Sequence, residues 1–183
     1  MSELQAEARP MRAANRSVAT ERLRGEAVCQ NHYDELARLL SDERVMVTLS
    51  SDGLPLSETR IRERLSSHIA DWEEHGCGFW MWWEQESNEF VGRGGVRKLD
   101  LDGQLEFEIA YALTPDFWNL GFATEIAGFS RDVAFRDIGA ESVVGLALVR
   151  NSASRWVLEK IGMTYERDCE KAGLPHALYR LRS

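Results

Sequence analysis

Apolar residues repeat along this chain with two periods, and the switches between them divide it into elements. Tyr33, Leu36, Ala37 and Leu40 fall at helical spacing, which predicts a helix over residues 32–40 with Asn31 as its N-cap. Ile61, Leu65, Ile69 and Trp72 share one helical face over residues 57–74, and Gly76 and Gly78 end that run. A short strand, 23–28, precedes both helices. Residues 79–85 and 90–98 read as a hairpin around Glu86 to Glu89, and Asp102-Gly103 turns the chain into a third strand, 105–113. That strand alternates strictly, with Phe107, Ile109, Tyr111 and Leu113 on one face and Glu106, Glu108, Ala110 and Ala112 on the other. In residues 79–83 the same alternation sets Trp80 and Trp82 against Phe79, Met81 and Trp83.

The helical period returns from about Ala123 to Phe135 and stops near Gly139. Residues 143–149 form an apolar strand, and 152–161 a helix ended by Gly162. Residues 163–165 and 177–181 are the last strands. Antiparallel pairing followed by a helical crossover implies a mixed sheet.

Between the strand 105–113 and the helix that follows lies a short loop, broken at Thr114-Pro115 and carrying Gly121. A strand, a tight loop and a helix N-terminus make an anion site, because unpaired N–H groups and the helix dipole point the same way. The loop has no Lys or Arg between Thr114 and Glu125, so its backbone must do the binding.

Trp118-Asn-Leu-Gly121-Phe-Ala123 resembles the acyl-CoA-binding loop of the GNAT acetyltransferases, whose pattern is Gln/Arg-x-x-Gly-x-Gly/Ala. The branch with ribosomal-protein-alanine N-acetyltransferases commonly has Trp first and Gly-x-Gly-x-Ala-Thr-Glu after it. Here Trp118, Gly121, Ala123, Thr124 and Glu125 match, and Asn119 replaces the first Gly. Asn tolerates left-handed backbone better than most residues. Further matches follow in family order from residue 20 onward. They are Thr20-Glu-Arg-Leu23, Phe90-Val-Gly92 with Gly95, Glu108-Ile-Ala-Tyr-Ala-Leu113, and Asn151-Ser-Ala-Ser154 with Glu159-Lys-Ile-Gly-Met163. The resemblance implies an α/β (α+β) domain over residues 20–183: a central mixed, mostly antiparallel sheet, splayed apart to lodge acetyl-CoA and flanked by helices. It implies that Leu113, Trp118, Asn119, Gly121, Phe122, Ala123, Thr124 and Asn151 contact the cofactor.

Acetyl transfer to an amine needs a base, stabilisation of the carbonyl oxygen and a tolerable thiolate leaving group. Glu108 matches the base of several family members, although Glu106 shares its face and is open to the same role, and other members use a water chain with no direct base. The tyrosine acid that many members carry seven residues after the Asn is replaced by Leu158. In the alanine-acetylating branch, a serine at the position of Ser154 is the partner of the thiol. Asn151 and Ser154 also suit plain structural roles, as an N-cap and an ordinary helix serine. The aromatic run 79–83 can wall the acceptor pocket or pack the core, and Trp118 anchors the loop.

The remaining composition narrows the picture. The 183 residues suit one domain, with residues 1–19 as a polar, disordered tail that lacks a signal peptide's apolar core. A net charge of −8 argues against nucleic-acid binding and is compatible with a cationic acceptor. No apolar run is long enough to span a bilayer. Three cysteines without Cys-x-x-Cys spacing suit a reducing cytoplasm, and four scattered histidines give no metal site. The expected protein is an acetyl-CoA-dependent N-acetyltransferase, monomeric or homodimeric, acting on a primary amine such as a peptide N-terminus. A small-molecule amine acetyltransferase and a non-catalytic acyl-CoA sensor are the competing readings.

Overall fold

The computed structural model describes residues 13–50 and 52–183. Its strands are β1 (Ser17–Ala19), β2 (Leu23–Ala27), β3 (Phe79–Glu84), β4 (Phe90–Leu101), β5 (Gln104–Leu113), β6 (Ser142–Leu148), β7 (Thr164–Lys171) and β8 (Leu174–Arg182). They form one sheet in the order β1-β2-β3-β4-β5-β6-β8-β7. The α-helices are α1 (Tyr33–Leu40), α2 (Glu43–Met46), α3 (Glu58–His75), α4 (Phe122–Val133) and α5 (Ser152–Lys160).

The alternation in β3 decides which helices cover which face. Phe79, Met81 and Trp83 pack with Leu36, Leu39, Val45, Met46, Ile61 and Leu65, so α1 to α3 cover that side. Trp80 and Trp82 pack with Ile109, Phe122, Ile126 and Leu158, so α4 and α5 cover the other. Both faces of the aromatic run are therefore core. The glycines of β4 allow this close packing: a Cβ on Gly94 would lie 2.5 Å from Ile126 of α4. At Gly95 a Cβ would lie 2.2 Å from the carbonyl oxygen of Gly78 and 3.0 Å from Cα of Phe79. Those are backbone atoms that cannot rotate away, so Gly95→Ala should destabilise the fold by about 1–3 kcal/mol or more. Urea unfolding measures this; a loss within about 0.5 kcal/mol, the range of neutral surface changes, would contradict the β3–β4 register.

β5 and β6 are joined by a helical crossover and run parallel. Their one registered pair is Glu108 with Val144. β5 keeps its full ladder with β4 from Gly92–Leu113 to Leu101–Gln104. The β6-facing edge of residues 109–113 is thus left without a strand partner, and the sheet splays open there.

Several sequence expectations are corrected. Asn31 does not cap the first helix: it lies in a 3-10 turn, Gln30–His32, and His32 precedes α1. The short α2 was not expected; Asp42 caps it by accepting from the Arg44 N–H. On α3 the buried stripe is Ile61, Leu65, His68 and Trp72, with His68 in the place expected for Ile69. The expected tail, 1–19, is too long at its described end. Ser17–Ala19 pair with β2, and the Ala14 N–H donates to the Gly76 carbonyl at 2.8 Å. Residues 1–12 of that tail lie outside the described residues. Among the described residues, no helix is long and apolar enough to cross a membrane.

Candidate active site

The loop after β5 is fixed at both ends. The Thr114 N–H donates to the Val91 carbonyl at 2.9 Å, and Trp118 Nε1–H to the Leu113 carbonyl at 2.9 Å, so Trp118 anchors the loop. Two residues then turn left-handed, Asn119 (φ 61°) and Gly121 (φ 84°). Gly121 is the N-cap of α4, and the first helical bond runs from Glu125 N–H to the Gly121 carbonyl. The N–H groups of Phe122, Ala123 and Thr124 therefore have no carbonyl a turn earlier to bind. A Cβ on Gly121 would approach only the Arg22 guanidinium, at 3.4 Å, so the turn faces open space.

A clasp from β2's approach holds this turn. Glu125 accepts from Thr20 Oγ1 at 2.5 Å, from the Arg22 N–H at 2.9 Å and from Arg22 Nε at 2.8 Å. Arg22 also donates to the Leu120 carbonyl at 3.0 Å and stacks 4.2 Å over the Phe122 ring. Burial raises the Glu125 carboxyl, but these donors outweigh burial and hold it below the usual carboxylate range. Two separate sequence motifs, Thr20–Leu23 and Ala123-Thr-Glu125, thus become one structural unit.

A cleft of about 1310 Å³ opens from this loop through the splay. That exceeds the roughly 300–1,000 Å³ of a pocket for one small ligand, so there is room for two substrates. Leu113, Trp118, Asn119, Gly121, Ala123, Thr124, Asn151, Glu108 and Ser154 all line it. Phe122 does not: its ring is 2% exposed and packs edge-on against Phe117, so only its backbone N–H is on offer.

The two faces of β5 supply different chemistry. Glu108 is 4% exposed and sits at the last β5–β6 rung, paired with Arg97 at 2.6 Å. Glu106 is absent from the cleft lining and is tied to Arg180 at 2.8 Å, which separates the two candidates for the base. On the opposite face, the Tyr111 hydroxyl donates to the Ser154 carbonyl at 2.9 Å and lies 3.1 Å from Ser154 Oγ. Burial pushes the Tyr111 phenol up, against the lowering effect of the Ser154 hydroxyl, so it stays a proton donor. Asn151 accepts from the Ser154 N–H at 3.1 Å, which is an N-cap bond. Leu158 is 1% exposed and offers no proton.

Tyr111 was not among the residues expected in the site. Its place on the face opposite Glu108 was readable from the alternation; its contact with Ser154, 43 residues on, was not. His68 and His176 also line the cleft, although both lie far from the loop in sequence.

The sequence model of one family, described as an acetyltransferase (GNAT) domain, matches residues 22–164, more than half of the chain. The chain belongs to the GNAT acetyltransferase family. A relative in Bacillus subtilis, the uncharacterized protein YkkB, is 27% identical over 170 residues, covering 93% of this chain and 98% of the relative. The GNAT fold is shared with an acetyltransferase from Agrobacterium tumefaciens at a TM-score of 0.79 and 21% identity, covering 96% of this chain and 99% of that one. It is shared too with RimL, a ribosomal L7/L12 alpha-N-protein acetyltransferase in complex with coenzyme A, at a TM-score of 0.71 and 18% identity, over 90% and 96% of the two chains. The residues of this GNAT site fit such a cofactor. The free N–H groups after Gly121 suit a pyrophosphate, and the unpaired edge of residues 109–113 suits the amides of an extended arm.

Proposed function

We propose that this GNAT enzyme moves an acetyl group from acetyl-CoA to a primary α-amine by direct attack in a ternary complex. The observation that supports this most is the placement of Glu108 at the mouth of the splay, with the Tyr111–Ser154 pair on the other face of the same strand. Acetyl-CoA supplies the activated acetyl group as a thioester. Leu113, Trp118, Asn119, Gly121, Phe122, Ala123, Thr124 and Asn151 hold it, Phe122 through its N–H alone. Glu108 takes the proton from the incoming amine on the α1–α3 side, where a positioned base contributes about 10²–10⁴-fold. Ser154 Oγ–H, which rests toward the Tyr111 oxygen while that phenol donates to the Ser154 carbonyl, turns to donate a hydrogen bond toward the leaving sulfur from the α4–α5 side. Holding both partners across one narrow gap supplies further acceleration through orientation.

An α-amine, with a reference pKa of about 7.7–8.0, needs less help than a lysine ε-amine near about 10.4. Direct attack with one carboxylate as base therefore favours α-amines. Initial rates on matched peptides with either a free N-terminus or a single free lysine should favour the N-terminus, and transfer to alcohols should be absent. Faster acetylation of the lysine peptide would refute the ranking.

A further inference from the structure

We propose that the acceptor carries a carboxylate a few bonds from its amine, and that Arg93 receives that carboxylate. This rests on the acetyltransferase reading above and names the substrate class of the same site. Although the chain has a net charge of −8, the acceptor side of its cleft is cationic. α3 contributes Arg60 and Arg64, one turn apart on the stripe that continues to the neutral, buried His68. β4 contributes Arg93 and Arg97, on one face either side of Gly95. The carboxylates lining the cleft, among the described residues, are Glu108 and Asp52. Asp52 is already bonded to Ser50 Oγ and the Leu54 N–H, and Glu108 to Arg97.

Arg93 is left over. Among the described residues its side chain makes no ion pair and no hydrogen bond, and its Nε is shut away from solvent without a partner. Its guanidinium lies 4.5 Å over the Phe79 ring, beside that of Arg97 at 5.7 Å from the same ring. Burial, with Arg97 and Arg64 nearby, pushes it down to about 9, which still leaves it charged at neutral pH. Arg93 as a whole is half-buried, and the nearest carboxylate that favours its charge, Glu108, is already held by Arg97. A partly buried cation without a direct partner is costly, so the arrangement suits an anion that arrives with a ligand. His68 beside it is 2% exposed with both ring nitrogens unpartnered, and burial pushes it down to about 4, so it offers a neutral N–H rather than a charge.

The cofactor's phosphates do not answer this need. The N-terminus of α4 lies on the Trp80–Trp82 face of the sheet, whereas Arg93 lies against Phe79 on the opposite face. A single planar guanidinium suits a carboxylate, which it can bind through two parallel hydrogen bonds. Because Arg93 and Arg97 share the Phe79 ring, and Arg97 holds Glu108, an amine at Glu108 and a carboxylate at Arg93 fit one compact molecule. Two sources offer that pair, a free amino acid and a peptide whose first residues are acidic.

The test compares initial rates with acetyl-CoA on free amino acids and on their α-carboxamides, and on peptides beginning Ala-Glu and Ala-Gln. The carboxylate member of at least one series should be preferred about tenfold or more in kcat/KM, mainly through KM, the scale of one charge-assisted hydrogen bond. The series with the larger preference names the source. Arg93→Met should collapse that preference while acetyl-CoA affinity and the circular dichroism spectrum hold. Should the variant misfold, inhibition of the wild-type protein by N-acetylalanine against its amide gives the same discrimination. Equal or faster rates on the neutral members, or a preference that survives Arg93→Met, overturns the inference and leaves acetyl transfer standing. Acetylation of no amine at all overturns the acetyltransferase reading itself.

Discussion

Gly121→Val is expected to lower acetyl-CoA affinity by about a hundredfold or more while the protein stays folded. Gly121 sits at φ 84°, in the left-handed region that a β-branched residue avoids. Relaxing that strain moves the very turn that aims the N–H groups of Phe122, Ala123 and Thr124. The new side chain would also press on the Arg22 guanidinium, which holds the Leu120 carbonyl and Glu125. Residues 119–121 are exposed, and although Phe122 beside them is a core residue, its side chain is untouched, so the fold itself should tolerate the change. Calorimetric titration with acetyl-CoA, alongside circular dichroism, measures both. An unchanged affinity would remove the loop from the cofactor site.

Glu108→Gln is expected to reduce turnover about 10²-fold or more, the low end for losing a general base. Acetyl-CoA affinity should hardly change, because the carboxylate lies on the α1–α3 face and the cofactor turn on the other. The paired control is Glu106→Gln. Glu106 is bound to Arg180 outside the cleft lining, so this change should leave turnover near wild type. A large loss in Glu106→Gln with little in Glu108→Gln would reverse the assignment of the base.

Much of this site was readable before any coordinates, because two of its determinants are local. The period of two placed Glu108 and Tyr111 on opposite faces of β5, and the Trp118–Glu125 spacing placed a turn before a helix. Asn119 takes the left-handed backbone that its side chain tolerates. What the sequence hid depends on packing between distant segments. Arg93 and His68 lie on a strand and a helix whose separation is set only when α3 docks on Phe79. The global charge of −8 is compatible with a cationic acceptor, whereas the cleft gathers arginines from two elements distant in sequence, α3 and β4. The last hairpin was read too short, at 163–165 and 177–181, for another reason. β7 is an edge strand with mostly exposed residues, so it needs no apolar face to declare itself.

The single rung between β5 and β6 has a consequence for how this scaffold can change. A hydrogen-bonded ladder holds strands at about 4.7–4.9 Å, and no substitution of side chains alters that spacing. Beyond Glu108 the gap is spanned by α4 and α5 instead, through contacts such as Ile126 on Gly94 and Leu158 on Gly145. Its width is therefore set by side-chain volume. Trimming or enlarging residues at those contacts would retune which acyl donors pass, without breaking one backbone hydrogen bond, so donor choice can drift independently of the acceptor pocket on the other face.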